Sequence, residues 1–388
     1  MDYGADLGFT FVHTPKVVFG ENALAEVGAL LADLGASRAL LVTDRFLAEK
    51  TDLLTRLRKA AAGRIAGEFL DVVPDPTAES IDRAAELGKS VGADAVVSLG
   101  GGSAIDTGKG LAVVLTEGGK VLDHEGYHAL PRPLIPHLAI PTTAGTGSEM
   151  TMVTVITDPA RGQKTFIGSY FLHPNVAVLD PTCTRNLPPL LTAATGMDAM
   201  AHAVEALIST LRQPFSDACA LAAIRSVMTF LPRSVSDGTD MVARGQMLIA
   251  AAQAGSAFSN AMVSLNHAMV HSLGARFHKH HGTLNAVLLP HTMRFFAPDV
   301  GERFVWVAQA MGVSASAADP VAAGLAAADR MAKLNSEIGL PSRLSELGIP
   351  REALGEVAEL SLSDGSIIYS PRPIMDAAEV LSVLERAY

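Results

Sequence analysis

Asp198 and His202 stand four apart in GMDAMAHAVEA (196–206), and His267 and His271 repeat that interval in LNHAMVHSLG (265–274). On an α-helix, residues i and i+4 share one face, so each pair can offer two donor atoms to a single ion. Six of the twelve histidines (His267, His271, His278, His280, His281 and His291) fall between 267 and 291. The segment holding the first two is otherwise apolar enough to be buried, where unpaired imidazoles are expensive. An Asp/His pair at this interval also forms a plain helix-face pair, and core histidines also bond to backbone. A carboxylate with several imidazoles is better accounted for by one divalent ion, and Fe²⁺, Zn²⁺ and Mn²⁺ all accept mixed nitrogen and oxygen ligands.

A second chemistry is written at 94–109, DAVVSLGGGSAIDTGK, where a buried strand runs into three glycines and a helix start. Glycines let backbone N–H groups approach a pyrophosphate, and the helix N-terminus adds its positive dipole end. This is not the GxGxxG pattern, and a Gly-rich turn after a strand also serves as an ordinary tight turn. The segment PTTAGTGSE (141–149) follows another apolar strand with small and hydroxyl-bearing residues. Two such loops at strand ends point to a dinucleotide. Asp44, just after ALLVT, stands where a carboxylate can bond a ribose 2′-hydroxyl and repel a 2′-phosphate, which favours NAD over NADP; as a helix N-cap it has a second role open to it.

These groups need a scaffold, and the hydrophobic pattern supplies one. From about 10 to 180, β-rich runs alternate with amphipathic Ala/Leu-rich stretches in a βαβ rhythm. The expected strands are Lys16–Phe19, Ala39–Thr43, Gly67–Val73, Ala95–Leu99, His137–Ile140, Val153–Thr157 and Val176–Leu179, with helices over 22–34, 46–63, 78–91 and 104–115. After Pro188-Pro189 the chain reads as helices at 190–211, 214–230, 241–258, 260–274, 302–311, 318–337 and 375–386. The expected organisation is an α/β nucleotide-binding domain over 1–184 and an all-α metal-binding domain over 185–388, with the change in the turn-rich DPTCTRNLPP segment.

Composition narrows the class. The 388 residues carry 30 basic and 40 acidic side chains, and a net charge of −10 argues against a nucleic-acid partner. At 49% hydrophobic and 18% charged the chain is globular in character, and no uninterrupted apolar run reaches membrane length, so no membrane partner is expected. Two cysteines, Cys183 and Cys219, outside any CxxC pair, and an N-terminus without a basic-then-apolar pattern lead to the expectation of a cytoplasmic protein.

Taken together, GGGSAIDTGK (100–109), PTTAGTGSE (141–149), GMDAMAHAVEA (196–206), NHAMVHSLGARFHKHHGTLNAVLLPH (266–291) and SPRP (370–373) resemble the iron-containing, or group III, alcohol dehydrogenases, in order and over almost the whole chain. The resemblance implies a dehydroquinate-synthase-like fold with the active site between the two domains. It implies metal ligands Asp198, His202, His267 and His281, with iron first among the ions, and His271 beside the nicotinamide as a proton relay. For NAD it implies Asp44 at the adenosine ribose, Asp75 near the adenosine, Gly100, Gly101, Gly102, Ser103 and Asp106 at the pyrophosphate, and Thr142, Thr143, Thr146, Gly147 and Lys164 around the rest. Asp75 and Ser370 occupy positions where relatives carry Asn. Val153 and Phe258 are expected at an apolar substrate pocket.

The implied reaction is reversible, metal-assisted hydride transfer between a primary alcohol and NAD⁺, in a homo-oligomer of at least two copies. Rival readings are a maleylacetate reductase, which works without the metal, and a hydroxyacid-oxoacid transhydrogenase. A lyase of the dehydroquinate synthase kind would be a different class and would want a cationic pocket. Arg276 and Arg372 are the cations considered for a carboxylate-bearing substrate.

Overall fold

The structure, a computed structural model, describes residues 7–388 except Gly162. It divides into two compact units, Val12–Leu187 and 7–11 with Pro188–Tyr388. The hydrophobic pattern places the chain start with the α/β unit. The rings of Phe9 and Phe11 instead pack on Phe215, at 5.9 and 5.2 Å between centroids, and so anchor 7–11 to the helical unit.

The first unit is built on strands β1 (Lys16–Phe19), β2 (Ala39–Val42), β3 (Ile65–Phe69), β4 (Ala95–Gly100), β5 (Gly126–Tyr127), β6 (His137–Pro141), β7 (Val153–Asp158), β8 (Gln163–Gly168) and β9 (Val176–Leu179). Six of them form a parallel sheet in the order β1-β9-β6-β4-β2-β3. Its helices are α1 (Val27–Asp33), α2 (Arg45–Lys50), α3 (Leu53–Ala60), α4 (Ala78–Ser90) and α5 (Gly102–Glu117). Successive strand side chains point to opposite faces. Leu41, Val97, Leu138 and Val178 therefore join Val27, Leu31 and Leu57 on one face, while Leu40, Val42 and Val96 join Ile81, Ala85 and Leu111 on the other. The strand after β2 lies on one side of it and β4 on the other, so the connections leaving β2 and β4 diverge and open a crevice at their carboxyl ends.

The expected strand over Val153–Thr157 forms, but in a separate three-stranded sheet, antiparallel to β8, which together with β5 is absent from the sequence reading. The single helix expected at 46–63 is two. Extended Thr51 interrupts it, and its hydroxyl donates to the Leu47 carbonyl at 2.6 Å and accepts from Leu53 N–H at 3.3 Å, closing α2 and opening α3.

The second unit consists of α6 (Pro189–Ile208), α7 (Pro214–Ser236), α8 (Met241–Ala261), α9 (Leu265–Phe277), α10 (His281–Val300), α11 (Glu302–Ala310), α12 (Pro320–Glu337), α13 (Leu354–Leu362) and α14 (Ala377–Arg386). Helices α10 and α13 are additions to the expected set; Pro290 and Pro298 had masked the first. Helix α7 is long and apolar enough to cross a membrane by length and composition. Here it buries Ala220, Ile224, Val227 and Leu231 within the unit and carries a buried Asp217 paired with Arg212 at 2.7 Å.

Candidate metal centre and nucleotide loops

Helix α6 is buried along most of its length and carries a polar stripe, Asp198, His202 and Glu205, in the stretch Met197–Leu207 that is otherwise made of Ala, Met, Val and Leu. Helix α9 faces it with His267, and α10 starts with His281. At Gly282, a Cβ would stand 2.1 Å from the Ala194 carbonyl oxygen, so only glycine lets α10 approach α6 closely enough there. One donor atom from each of Asp198, His202, His267 and His281 lies within 4.8 Å of the others.

From Asp198 Oδ1, the Nε2 atoms of His281, His202 and His267 are 3.4, 3.9 and 4.0 Å away. Two donors each about 2.1 Å from a common ion are at most about 4.2 Å apart, so all three separations are compatible with one shared ion. The donor chemistry agrees. Burial pushes Asp198 up to about 7, offset in part by the charge of His280 and by the 2.7 Å hydrogen bond from Asn285 Nδ2, and a cation is what restores a buried carboxylate to its ionised form. Burial, followed by the neighbouring His202 and His271, holds His267 well below its ordinary value, in the neutral form that ligates metals.

Two supporting residues were not singled out from the sequence. Glu205 is fully buried; its Oε2 pairs with His267 Nδ1, and its Oε1 accepts from Ser264 N–H at 2.9 Å, Ser264 Oγ at 2.7 Å and Asn266 N–H at 3.0 Å. With Nδ1 so engaged, His267 presents Nε2. The signal was available, since 198, 202 and 205 fall on one helical face. Asn285, one turn after His281, holds Asp198 and accepts from Asn266 Nδ2 at 2.6 Å.

His271 lies beside the cluster, its ring 5.6 Å from that of His281 and 5.8 Å from that of His267. Its Nδ1 is 2.8 Å from Asp364 Oδ2. Burial alone would raise Asp364, but the charge of His271 and hydrogen bonds from His271 and Ser366 hold it well below the usual carboxylate range. No sequence pattern links these two residues. His278 and His280 cap helix ends outside the cluster. The Phe258 ring stacks on His202, centroids 4.1 Å apart and planes 18° apart. Arg276 pairs with Glu356 at 3.4 Å, and Arg372 with Glu379 at 2.6 Å and Asp299 at 3.3 Å, so both cations already have carboxylate partners.

In the α/β unit, β4 runs into Gly101, the N-cap of α5, and the start of that helix lies against the loop after β6. Thr142 N–H donates to the Gly100 carbonyl at 3.0 Å. A Cβ on Gly102 would stand 2.8 Å from Thr146 Cγ2, and one on Gly101 3.3 Å from Thr143. Gly147 adopts φ +60°, which a side chain would strain. Asp44 follows β2 and caps α2, accepting from Leu47 N–H at 2.9 Å.

Lys164 Nζ meets Asp75 Oδ1 at 2.6 Å, so these two residues form an ion pair with each other. At Asp106, expected at the pyrophosphate, Oδ1 accepts from Ser148 Oγ at 2.6 Å and Oδ2 from Val155 N–H at 3.2 Å. Val153 is half-buried at the start of β7.

Comparison with known proteins agrees with this geometry. Residues 14–181 match the model of iron-containing alcohol dehydrogenases, and 192–388 match that of the Fe-containing alcohol dehydrogenase family, C-terminal. The NAD-dependent methanol dehydrogenase of Bacillus methanolicus is 36% identical over 375 residues, covering 96% of this chain and 98% of its own. The crystal structure of a 1,3-propanediol oxidoreductase superposes with a TM-score of 0.95 at 35% identity, over 98% of this chain and 100% of that one. A maleylacetate reductase from Agrobacterium tumefaciens is less similar, with a TM-score of 0.82 at 28% identity and 98% of each chain covered. With both halves of its length matched and its Asp-His-His-His cluster in place, the chain belongs to the iron-containing alcohol dehydrogenases, enzymes that use NAD and a divalent metal.

Proposed function

We propose that this protein is an NAD-dependent alcohol dehydrogenase and aldehyde reductase in which Asp198, His202, His267 and His281 hold the divalent metal. The observation that carries this reading is the convergence of those four donors within 4.8 Å in a chain matched to this family along its length. A divalent ion held there, Fe²⁺ first, supplies Lewis acidity to the oxygen of an alcohol or aldehyde. NAD supplies the hydride acceptor.

The remaining work falls to the chain. Asp198 contributes the one negative charge of the donor set, so the bound ion keeps net positive charge. Glu205 fixes His267 so that Nε2 faces the other donors. Asp364 holds His271 at Nδ1, which leaves Nε2 to take the hydroxyl proton on oxidation and return it on reduction. Gly100–Ser103 and the start of α5 receive the pyrophosphate, Asp44 the adenosine ribose, and Thr142, Thr143, Thr146, Gly147 and Lys164 the rest of the nucleotide, with Asp75 holding Lys164. Phe258 and Val153 supply apolar surface for the substrate.

A primary alcohol or aldehyde is favoured because Arg276 and Arg372 are already paired with carboxylates, which weighs against the acid-bearing substrates of maleylacetate reductases, transhydrogenases and dehydroquinate-synthase-like lyases. The separate cysteines support a cytoplasmic enzyme. The outer strand β1, with Val17 and Phe19 exposed at a sheet edge, supports a homo-oligomer, a dimer or larger. The test is anaerobic NADH oxidation over a panel of aldehydes, ketones and 2-oxo acids, with metal-stripped protein reloaded with Fe²⁺, Zn²⁺, Mn²⁺ or nothing. Metal-dependent rates, fastest on simple aldehydes, support the reading; equal rates without metal overturn it.

A further inference from the structure

Asn266 on α9 precedes the donor His267 and is buried, as are Asn285 and Thr292 on α10. Its backbone N–H donates to Glu205 Oε1 at 3.0 Å, and Glu205 Oε2 pairs with His267 Nδ1. Its side-chain Nδ2 donates to Asn285 Oδ1 at 2.6 Å, and Asn285 Nδ2 in turn donates to Asp198 Oδ1 at 2.7 Å. Its Oδ1 accepts from Thr292 Oγ1 at 3.0 Å. One residue thus stands behind two of the four donors, through its main chain toward His267 and through its side chain toward Asp198.

The side-chain arm has a fixed sense. An ionised carboxylate only accepts, so Asp198 requires the NH₂ end of Asn285. That turns the Asn285 carbonyl toward Asn266, which must offer its own NH₂ group, and the Asn266 carbonyl then faces the Thr292 hydroxyl. The Leu288 carbonyl, 3.2 Å away, is a second acceptor for that hydroxyl, but only the bond to Asn266 extends the chain. Every link donates toward Asp198. Turning over either amide would set a carbonyl oxygen against another carbonyl or against the carboxylate, a mismatch that is costly in a buried place. The oxygen held in this way, Oδ1, is the one that lies 3.4, 3.9 and 4.0 Å from the Nε2 atoms of His281, His202 and His267.

We propose that Asn266 is a positioning residue for the metal, and that the chain Thr292–Asn266–Asn285 fixes the Asp198 oxygen offered to the ion. An apolar side chain at 266 keeps the main-chain bond to Glu205 and the packing of α9. What it removes is the donor for the Asn285 carbonyl, and with it the sense of the amide that meets Asp198. Asn266 therefore couples Asp198 on α6 to His267 on α9, two ligands that no direct hydrogen bond joins.

The inference rests on the metal-binding reading above, and the experiment separates the two. Co²⁺ is the probe: its affinity is measured by competition with a chelator and its visible ligand-field bands are recorded, for the wild type, Asn266→Leu, Thr292→Val and Thr292→Ser. A wild type that takes up no Co²⁺ overturns the metal reading and this inference with it. With wild-type uptake in place, Asn266→Leu is expected to weaken Co²⁺ by about tenfold or more, in the range usual for a lost partner of a metal ligand, and to shift the bands. Thr292→Val should weaken it severalfold with a smaller shift, and Thr292→Ser, which keeps the hydroxyl, should restore both affinity and bands, a rescue that a general loss of packing would not give. NADH affinity should stay at the wild-type value throughout. Wild-type Co²⁺ affinity and bands in folded Asn266→Leu overturn the inference while leaving the metal reading intact. Should Asn266→Leu not fold, the threonine pair decides: Thr292→Val and Thr292→Ser that bind Co²⁺ alike overturn it.

Discussion

His271 Nδ1 lies 2.8 Å from Asp364 Oδ2 although 93 residues separate them in the chain. Asp364 also accepts from Ser366 N–H at 2.9 Å, so its carboxylate is oriented before it meets the imidazole. A carboxylate at Nδ1 selects the tautomer that leaves Nε2 as the acceptor. Replacing Asp364 with Asn lets either tautomer form. We expect kcat to fall about 10- to 100-fold, below the full range of about 10²–10⁴ for removing an acid–base group, with NADH affinity unchanged. His271→Ala should cost more than Asp364→Asn, and the double variant no more than His271→Ala alone. Steady-state kinetics with NADH titration checks both; additive losses would break the coupling.

Glu205 makes a separate prediction about metal. Glu205→Gln keeps the volume and removes the charge behind His267, and loss of such a partner typically weakens metal binding by about 10–100-fold. Competition with a chelator, read as bound metal per chain, measures this without reference to turnover.

Asp44 caps α2 and is proposed to bond the adenosine ribose, two roles that a single substitution can separate. Serine retains the N-cap, whose loss would cost about 1 kcal/mol, but it removes the carboxylate charge proposed to meet the ribose. Asp44→Ser should therefore leave Tm close to wild type and lower the KM for NADP at least tenfold relative to that for NAD. An unchanged cofactor ratio would assign Asp44 to capping alone.

Gly282→Ala tests the approach of α10 to α6. The new methyl would sit 2.1 Å from a backbone oxygen, which cannot swing aside as a side-chain end can. Overpacking of this kind costs about 1–3 kcal/mol, and because His281 is the preceding residue, the shift should also reduce metal retention. Thermal unfolding and metal content of the same preparation give both values.

His137 gives the protein an acid-sensitive element in the α/β unit. Its Nε2 is 2.9 Å from Ser98 Oγ, and burial, followed by the charge of Lys109, lowers it to about 3 from an ordinary 6.5. Between those values the unfolded chain binds a proton that the folded chain does not, so stability declines as pH falls from about 6.5 toward 3. One proton corresponds to a slope of at most about 1.4 kcal/mol per pH unit. His137→Gln should flatten the denaturant-measured stability curve by up to that amount in this window and leave it unaltered above pH 7.

Much of the scaffold was legible because its signals are local. Hydrophobic runs at β2, β4, β6 and β9, and the loss of such runs after Pro188, are properties of short windows. The break at Thr51 was not, because it depends on one hydroxyl satisfying the Leu47 carbonyl. Helix α10 was hidden by Pro290 and Pro298, which local preference reads as breakers. The strand β7 was found but its sheet was not, since the antiparallel pairing with β8 is a choice of partner rather than of local pattern.

The same division runs through the candidate site. Helical spacing alone put Asp198 with His202, and it would have added Glu205, because residues on one helix are related by a fixed geometry. Family motifs pointed to His267 and His281 as the other donors, and to the glycine and threonine loops. Only the tertiary structure decided that His267 joins the donor cluster while His271 turns to Asp364, that Asp75 holds Lys164, and that the Asp106 carboxylate accepts from Ser148 Oγ and Val155 N–H. Each of these is a competition between partners brought together from distant parts of the chain. Its outcome depends on burial and on which hydrogen bonds remain to be satisfied, and neither exists until the helices and sheets have packed.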